Sequence, residues 1–211
     1  MKCIIIANGE LSYSSQIRKM IDNAQLIVSA DGGARHLKAF NAIPHVLIGD
    51  FDSIRPEDKK YFAAHKINTI DFPSKKDFTD TELCIEWALA HHATDITLLG
   101  VTGTRLDHTL ANIFLLKRLT TLNIPARIID KYNEIHIVTD SLTLEGEPGS
   151  FLSIVPVSEK VIGITLTGLT YPLNDATIHM GSSRGVSNVF AQNRASISLK
   201  HGILIVIKSK D

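Results

Sequence analysis

Short apolar runs alternate with segments of helical period from the start of the chain to about residue 128. The runs at 3–7, 26–30, 46–48, 67–70, 96–99 and 126–129 are nearly continuous in apolar residues, the pattern of strands covered on both faces. Between them, Ile17, Met20, Ile21 and Ala24 keep the i, i+3, i+4, i+7 spacing of an amphipathic helix, and Pro56 suits the first turn of another. Strands joined in this way through crossover helices form an open α/β layer.

Beyond about residue 130 the period shortens. "EIHIV", "LTLEG", "FLSIVPV", "GITLTGL", "ATIHM", "ASISL" and "ILIVIK" are β-type runs separated by Gly, Pro, Asn and Asp, and no helical pattern interrupts them. Two domains are therefore predicted, with a boundary near Tyr132. Residues 1–131 read as an open, mostly parallel, Rossmann-like α/β domain, and residues 132–211 as a smaller all-β sandwich.

Composition narrows the choice of partner without altering this picture. A chain of 211 residues with 44% hydrophobic content buries a substantial core unaided. Lys plus Arg and Asp plus Glu number 22 each, so no electrostatic footprint for nucleic acid or an anionic membrane is present. A small molecule or another protein chain is the expected partner. Cys3 and Cys84 lack C-x-x-C spacing and read as buried reduced thiols, in keeping with a cytoplasmic protein. The apolar run in "MKCIIIANGE" is too short for a signal peptide or a membrane span.

The candidate chemistry lies at the carboxyl ends of the predicted strands, where open α/β sheets bind ligands. "SADGGA" puts Asp31, Gly32 and Gly33 after the second strand, and "IGDFDS" puts Asp50 and Asp52 after the third. "IDFPSKKDFTD" adds Asp71, Asp77 and Asp80 after the fourth; "GVTGTRLDHTLAN" adds Arg105, Asp107, His108 and Asn112 after the fifth. One such Asp is an ordinary turn residue or cap, but four consecutive strand ends concentrate negative charge in one crevice. Thr79 to Glu82 also form a T-x-x-E capping box, which by itself accounts for Thr79 and Glu82.

Asp50 and Asp52 are the hardest to explain structurally. If the strand continues, its period of two aims both carboxylates the same way. At roughly 6 Å and an effective dielectric near 20, their repulsion is about 3 kcal/mol, which water, hydrogen bonds or a cation must offset. Mg²⁺ takes oxygen ligands and is commonly held by one or two carboxylates together with substrate phosphates. Phosphate oxygens also suit the amides of Gly32 and Gly33, the "GVTGTR" loop with Arg105, and Lys75 and Lys76. No Walker, dinucleotide-binding or H-E-x-x-H motif occurs.

The ordered set "SADGGA", "GDFDS", "KKDFTDTE", "GVTGTRLDH" with Asn112, and "SSRGVSN" resembles the thiamine pyrophosphokinase family, over essentially the whole chain. The resemblance implies transfer of a pyrophosphoryl group from ATP to the hydroxyl of thiamine, with Mg²⁺ as cofactor and thiamine diphosphate and AMP as products. It also implies a homodimer. Carried over by motif, Asp50, Asp52 and Asp80 hold Mg²⁺, Arg105 binds ATP phosphates, Asp107 lies beside the reacting groups, and Asp31 lines the crevice. Gly32, Lys76, His108 and Asn112 fall in the nucleotide-binding motifs, and Ser187 and Asn188 help form the thiamine pocket. Asp107 and Asp80 are alternative proton acceptors.

Two departures from the family pattern stand out. Val189 occupies a position where many bacterial relatives look acidic, and the only tryptophan is Trp87, leaving Phe190 as a substitute ring or as plain core. The crevice alone also suits a Mg²⁺-dependent kinase or pyrophosphokinase acting on another small alcohol; a non-catalytic nucleotide-binding module is the second alternative, and the presence of Asp50, Asp52, Asp80 and Asp107 favours an enzyme over it.

Overall fold

The computed structural model describes residues 1–52, 54–73 and 77–210. The chain divides into two compact units, Met1–Lys131 and Tyr132–Asp211.

In the first unit, strands and helices alternate: β1 (Lys2–Ile6), α1 (Ser15–Asp22), β2 (Leu26–Ala30), α2 (Ala34–Ala39), β3 (Val46–Gly49) and α3 (Pro56–Ala64). They continue as β4 (Asn68–Asp71), α4 (Asp80–Ala90), β5 (Asp95–Leu99), α5 (Leu106–Thr121) and β6 (Ala126–Ile129). All six strands pair in parallel, in the order β6-β5-β1-β2-β3-β4. Every expected strand of this unit forms within a residue of its predicted ends. The exception to double-sided burial is β4, an edge strand with largely exposed residues. The order reverses at β1, which has β2 on one side and β5 on the other; ligands in open α/β sheets bind at the carboxyl ends beside such a reversal.

Local chemistry sets the helix starts. Ser14 caps α1 by accepting from the Ile17 amide at 3.3 Å, and Pro56 occupies the first turn of α3, where its missing N–H costs nothing. Ile17 and Ile21 pack with Ile4, Ile6, Leu37, Phe40 and Phe62 in the core on one side of the sheet. On α4 the capping box is half formed: Thr79 accepts from the Glu82 amide at 3.3 Å, while the Glu82 carboxylate turns instead to Arg118 at 3.2 Å. Trp87 is half-buried and stacks on His91 with ring centroids 3.6 Å apart, so it caps a helix face rather than filling the core.

The second unit contains β7 (Asn133–Val138), β8 (Ser141–Glu145), β9 (Phe151–Pro156), β10 (Lys160–Thr167), β11 (Leu173–His179), β12 (Asn188–Val189), β13 (Arg194–Ser198) and β14 (Leu204–Ser209). Its strands are antiparallel, in two groups ordered β12-β9-β14-β7 and β11-β10-β13-β8. Alternate residues such as Leu152, Ile154, Val161, Ile164, Leu166 and Ile197 turn inward to a shared core, as the sandwich reading requires. Phe190 belongs to that core at 1% exposure, and a Cβ on Gly146 would lie 2.7 Å from its ring. Packing, rather than a ligand-facing ring, is its role.

Candidate active site

Parallel pairing of Ala30 with Ile48 sets the ends of β2 and β3 side by side. Past β2 the chain enters a single 3-10 turn, Asp31–Gly33, in which Asp31 takes a left-handed conformation with φ 41°. Asp tolerates that region better than most residues. The Asp31 side chain is buried against Gly49, where an added Cβ would stand 2.8 Å from the Asp31 Cβ. Gly49 therefore makes room for a carboxylate from the neighbouring strand.

Strand β3 stops at Gly49, so strand alternation is not what brings Asp50 and Asp52 together. Phe51 lies at φ 59°, and the Asp52 amide donates to the Asp50 carboxylate at 3.2 Å. This local turn folds the second aspartate back beside the first. The result is a cluster: Asp31, Asp50 and Asp52 each offer a carboxylate oxygen within 4.8 Å of the others, graded from buried to exposed. At that distance and a dielectric near 20, each pair repels by about 3 kcal/mol. An all-oxygen, trianionic donor set of this kind suits a hard divalent cation such as Mg²⁺.

The membership differs from the sequence expectation by one residue. Asp80 is the half-buried first residue of α4 and stands outside the cluster, while Asp31 is in it. The reason is topological: Asp31 and Asp50 follow adjacent paired strands, whereas Asp80 is placed by the start of a helix. Gly32 is buried in the turn beside Asp31. Lys75 and Lys76 lie outside the described residues.

After β5, Gly100 (φ 63°) brings the chain against the end of β1, and Arg105 leads into α5. Arg105 and Asp107 are exposed and joined by two hydrogen bonds of 3.2 and 2.6 Å. That guanidinium, with the His108 amide, holds the Asp107 carboxyl down to about 2. While the pair persists, Asp107 is a weak proton acceptor. His108 is exposed in the same turn. Asn112 is buried, and its side-chain amide donates to the Val101 carbonyl at 2.8 Å, pinning the loop.

The loop after β1 joins this arrangement. His36 on α2 is buried, with Nε2 2.9 Å from the Gly9 carbonyl and Nδ1 2.8 Å from the Tyr13 hydroxyl. Burial pushes its imidazole down from 6.5 to about 4, aided by the neighbouring Arg35 and opposed by the bond to Gly9. Sequence reading missed both His36 and Tyr13, because a histidine in a helix carries no spacing signal without a partner.

In the second unit, Ser187 is exposed at φ 56°, and its amide donates to Ser153 Oγ at 3.0 Å. Asn188 is buried and imitates a strand: its oxygen accepts from the Tyr171 amide at 3.0 Å and its nitrogen donates to the Tyr171 carbonyl at 2.7 Å. Beside it opens a pocket of about 390 Å³ lined by residues that include Tyr171, Pro172, Arg184 and Val186. Sequence reading singled out neither Tyr171 nor Arg184, although Arg184 lies within "SSRGVSN".

Comparison with known proteins decides the family. A family model described as "Thiamin pyrophosphokinase, catalytic domain" matches residues 17–128, and one described as "Thiamin pyrophosphokinase, vitamin B1 binding domain" matches residues 133–204. A thiamine pyrophosphokinase of Bacillus subtilis (strain 168) is 35% identical over 214 residues, covering all of both chains. The chain belongs to the thiamine pyrophosphokinase family. The crystal structure of the enzyme from Bacillus subtilis superposes with a TM-score of 0.89 at 33% identity, covering all of both chains. That of the thiamin pyrophosphokinase from Geobacillus thermodenitrificans superposes at 0.85 with 32% identity, over 100% of this chain and 98% of that one. In thiamine pyrophosphokinase terms, the carboxylate cluster, Asp80 and the Arg105 loop all fall in the catalytic-domain match, and the Asn188 pocket falls in the vitamin B1 binding match.

Two outcomes are expected. Gly49→Ala places a methyl group against Asp31 and pulls the cluster apart; the Mg²⁺ concentration for half-maximal turnover should rise roughly tenfold, read by metal titration, since second-layer supports of metal ligands carry about that weight. The second concerns acid stability. Unfolded His36 binds a proton below about 6.5 and folded His36 only below about 4, so the unfolded state gains protons first and this contribution to stability is lost as pH falls from 6.5 to 4. Melting temperatures across that window should decline more steeply for the native chain than for His36→Gln.

Proposed function

We propose that this chain carries out the reaction of its family, transfer of the pyrophosphoryl group of ATP to the hydroxyl of thiamine, through the carboxylate cluster at the ends of β2 and β3. The single observation that carries the reading is the convergence of Asp31, Asp50 and Asp52. Residues 1–131 serve as the nucleotide- and Mg²⁺-binding catalytic domain, and residues 132–211 bind thiamine and share in dimerisation with α5 of the first unit.

The thiamine hydroxyl oxygen forms a bond to the β-phosphorus of ATP while the bond from that phosphorus to the α-phosphate oxygen breaks, releasing AMP. Asp31, Asp50 and Asp52 would hold Mg²⁺, with Asp80 available from the start of α4. Bound there, the ion would neutralise polyphosphate oxygens and hold them in line for attack. Arg105 supplies further positive charge to the phosphates, exchanging its contact with Asp107 for them. The hydroxyl proton passes to a carboxylate. With Arg105 turned to the phosphates, Asp107 and Asp80 are the two alternative acceptors. The pocket beside Asn188, with Tyr171 and Arg184, is a candidate seat for thiamine.

An apolar stripe supports a homodimer. Leu106, Leu110 and Phe114 are 66%, 44% and 50% exposed and follow one another every four residues along α5. A second copy of the chain is the occupant we assign to it. Among the described residues, no helix is long and apolar enough to cross a membrane. Two buried cysteine thiols favour the reducing cytoplasm as the place of work.

Incubation with ATP, Mg²⁺ and thiamine should yield AMP and thiamine diphosphate in equal amounts; ADP as the product, or no dependence on thiamine, would overturn the reading. Asp50→Asn and Asp52→Asn should each reduce turnover at least 100-fold with an unchanged circular-dichroism spectrum, and near-native rates at saturating Mg²⁺ would count against the cluster. Leu110→Asp should shift the chain from dimer to monomer in light scattering; a dimer that survives the change would remove the stripe from the interface.

A further inference from the structure

The loop that follows β1 is absent from the roles assigned above, yet it sits at the reversal of strand order, between the loops that carry the charged groups. Residues 8–10 are bound on both sides. Toward β5, the Gly9 amide donates to the Gly100 carbonyl at 2.6 Å and the Glu10 amide to the Thr102 carbonyl at 2.9 Å. A Cβ on Gly9 would fall 2.3 Å from the Thr102 oxygen, so the two loops touch through backbone alone. Toward β2, His36 reaches the Gly9 carbonyl at 2.9 Å, and Arg35 donates to the Asn8 and Gly9 carbonyls at 2.8 and 3.1 Å. Helix α2, which carries both residues, starts directly after the turn that holds Asp31.

A continuous hydrogen-bonded line thus runs from the Asp31 turn, through α2 and residues 8–10, to the 100–103 loop that leads into Arg105. We propose that His36 is a positioning residue for the polyphosphate of the nucleotide, fixing the distance between the carboxylate cluster and the Arg105 loop by clamping the Gly9 carbonyl. This rests on the reading of those two groups as the phosphate site.

The chemistry of the ring fits the task. A carbonyl only accepts, so Nε2 carries the hydrogen and donates to Gly9; Nδ1 then accepts from the Tyr13 hydroxyl. Both nitrogens of a neutral imidazole are used and the tautomer is fixed. Tyr13 also packs its ring against Phe40, with centroids 5.3 Å apart, which holds the hydroxyl in register. Among the described residues, the charged or titratable groups in contact with His36 are Arg35, whose charge opposes a proton on the ring, and Tyr13, whose hydroxyl bonds to Nδ1.

The test uses the full chain and two readouts. His36→Ala should raise the KM for ATP about tenfold with a smaller change in kcat, the size expected for one lost hydrogen bond of about 1.4 kcal/mol. In the absence of nucleotide, the Gly9 and Glu10 amides should exchange hydrogen faster in the same variant. His36→Gln keeps an N–H donor toward Gly9 and should restore most of both; Tyr13→Phe should lie between native and His36→Ala. An unchanged KM for ATP in His36→Ala, or a His36→Gln variant as impaired as His36→Ala, would overturn the proposal while leaving the phosphate site intact. If His36→Ala does not fold, native KM and native exchange in Tyr13→Phe would overturn it. A native chain that binds no ATP would remove the phosphate site and the clamp together.

Discussion

Three carboxylates whose oxygens lie within 4.8 Å repel one another, and the first unit is shaped to hold them there. The restraint comes from the backbone. Adjacent parallel strands deliver Asp31 and Asp50 to the same edge, a left-handed turn at Phe51 returns Asp52 to it, and Gly49 leaves the space that Asp31 fills. A cation bound there would relieve this pre-assembled repulsion, and part of its binding free energy would be stored in the fold. The same arrangement explains why two of the residues concerned adopt positive φ: such conformations persist where the surroundings over-determine them.

In both units, several polar side chains that resemble ligand-binding groups are occupied with the backbone. Asn112 holds the loop after β5, Asn188 pairs with both polar groups of Tyr171, and His36 joins Gly9 to Tyr13. Each is buried, and each satisfies a main-chain group that would otherwise be costly to leave unpaired. Each thereby fixes a loop, and phosphoryl transfer depends mainly on alignment and on charge placed in advance.

The second unit obeys a different constraint. Its core is formed by alternate residues from two antiparallel sheets, and the ends of those strands are left to shape the pocket beside Asn188. Glu134 illustrates how polar groups are accommodated: His136 and Lys208 hold its carboxyl down to about 2 although burial pushes the other way. This group therefore stays charged through the physiological range and ties β7 to β14, which pair along their length.

Periodicity alone determined the strands, the change of architecture near Tyr132 and the location of acidic residues at strand ends, because burial on both faces or on one imposes a local signature that survives in one dimension. Motif order was enough to indicate the family. Membership of the carboxylate cluster was decided by the tertiary structure: Asp31 entered it through strand pairing with a partner 18 residues on, and Asp80 stood outside because a helix start placed it. The orientation of Asp52 likewise came from a turn that strand alternation does not describe, and the His36 clamp from contacts across 23 and 27 residues. Distances of that kind depend on which segments pack together, and a linear pattern carries spacing along the chain but not the closure of the chain upon itself.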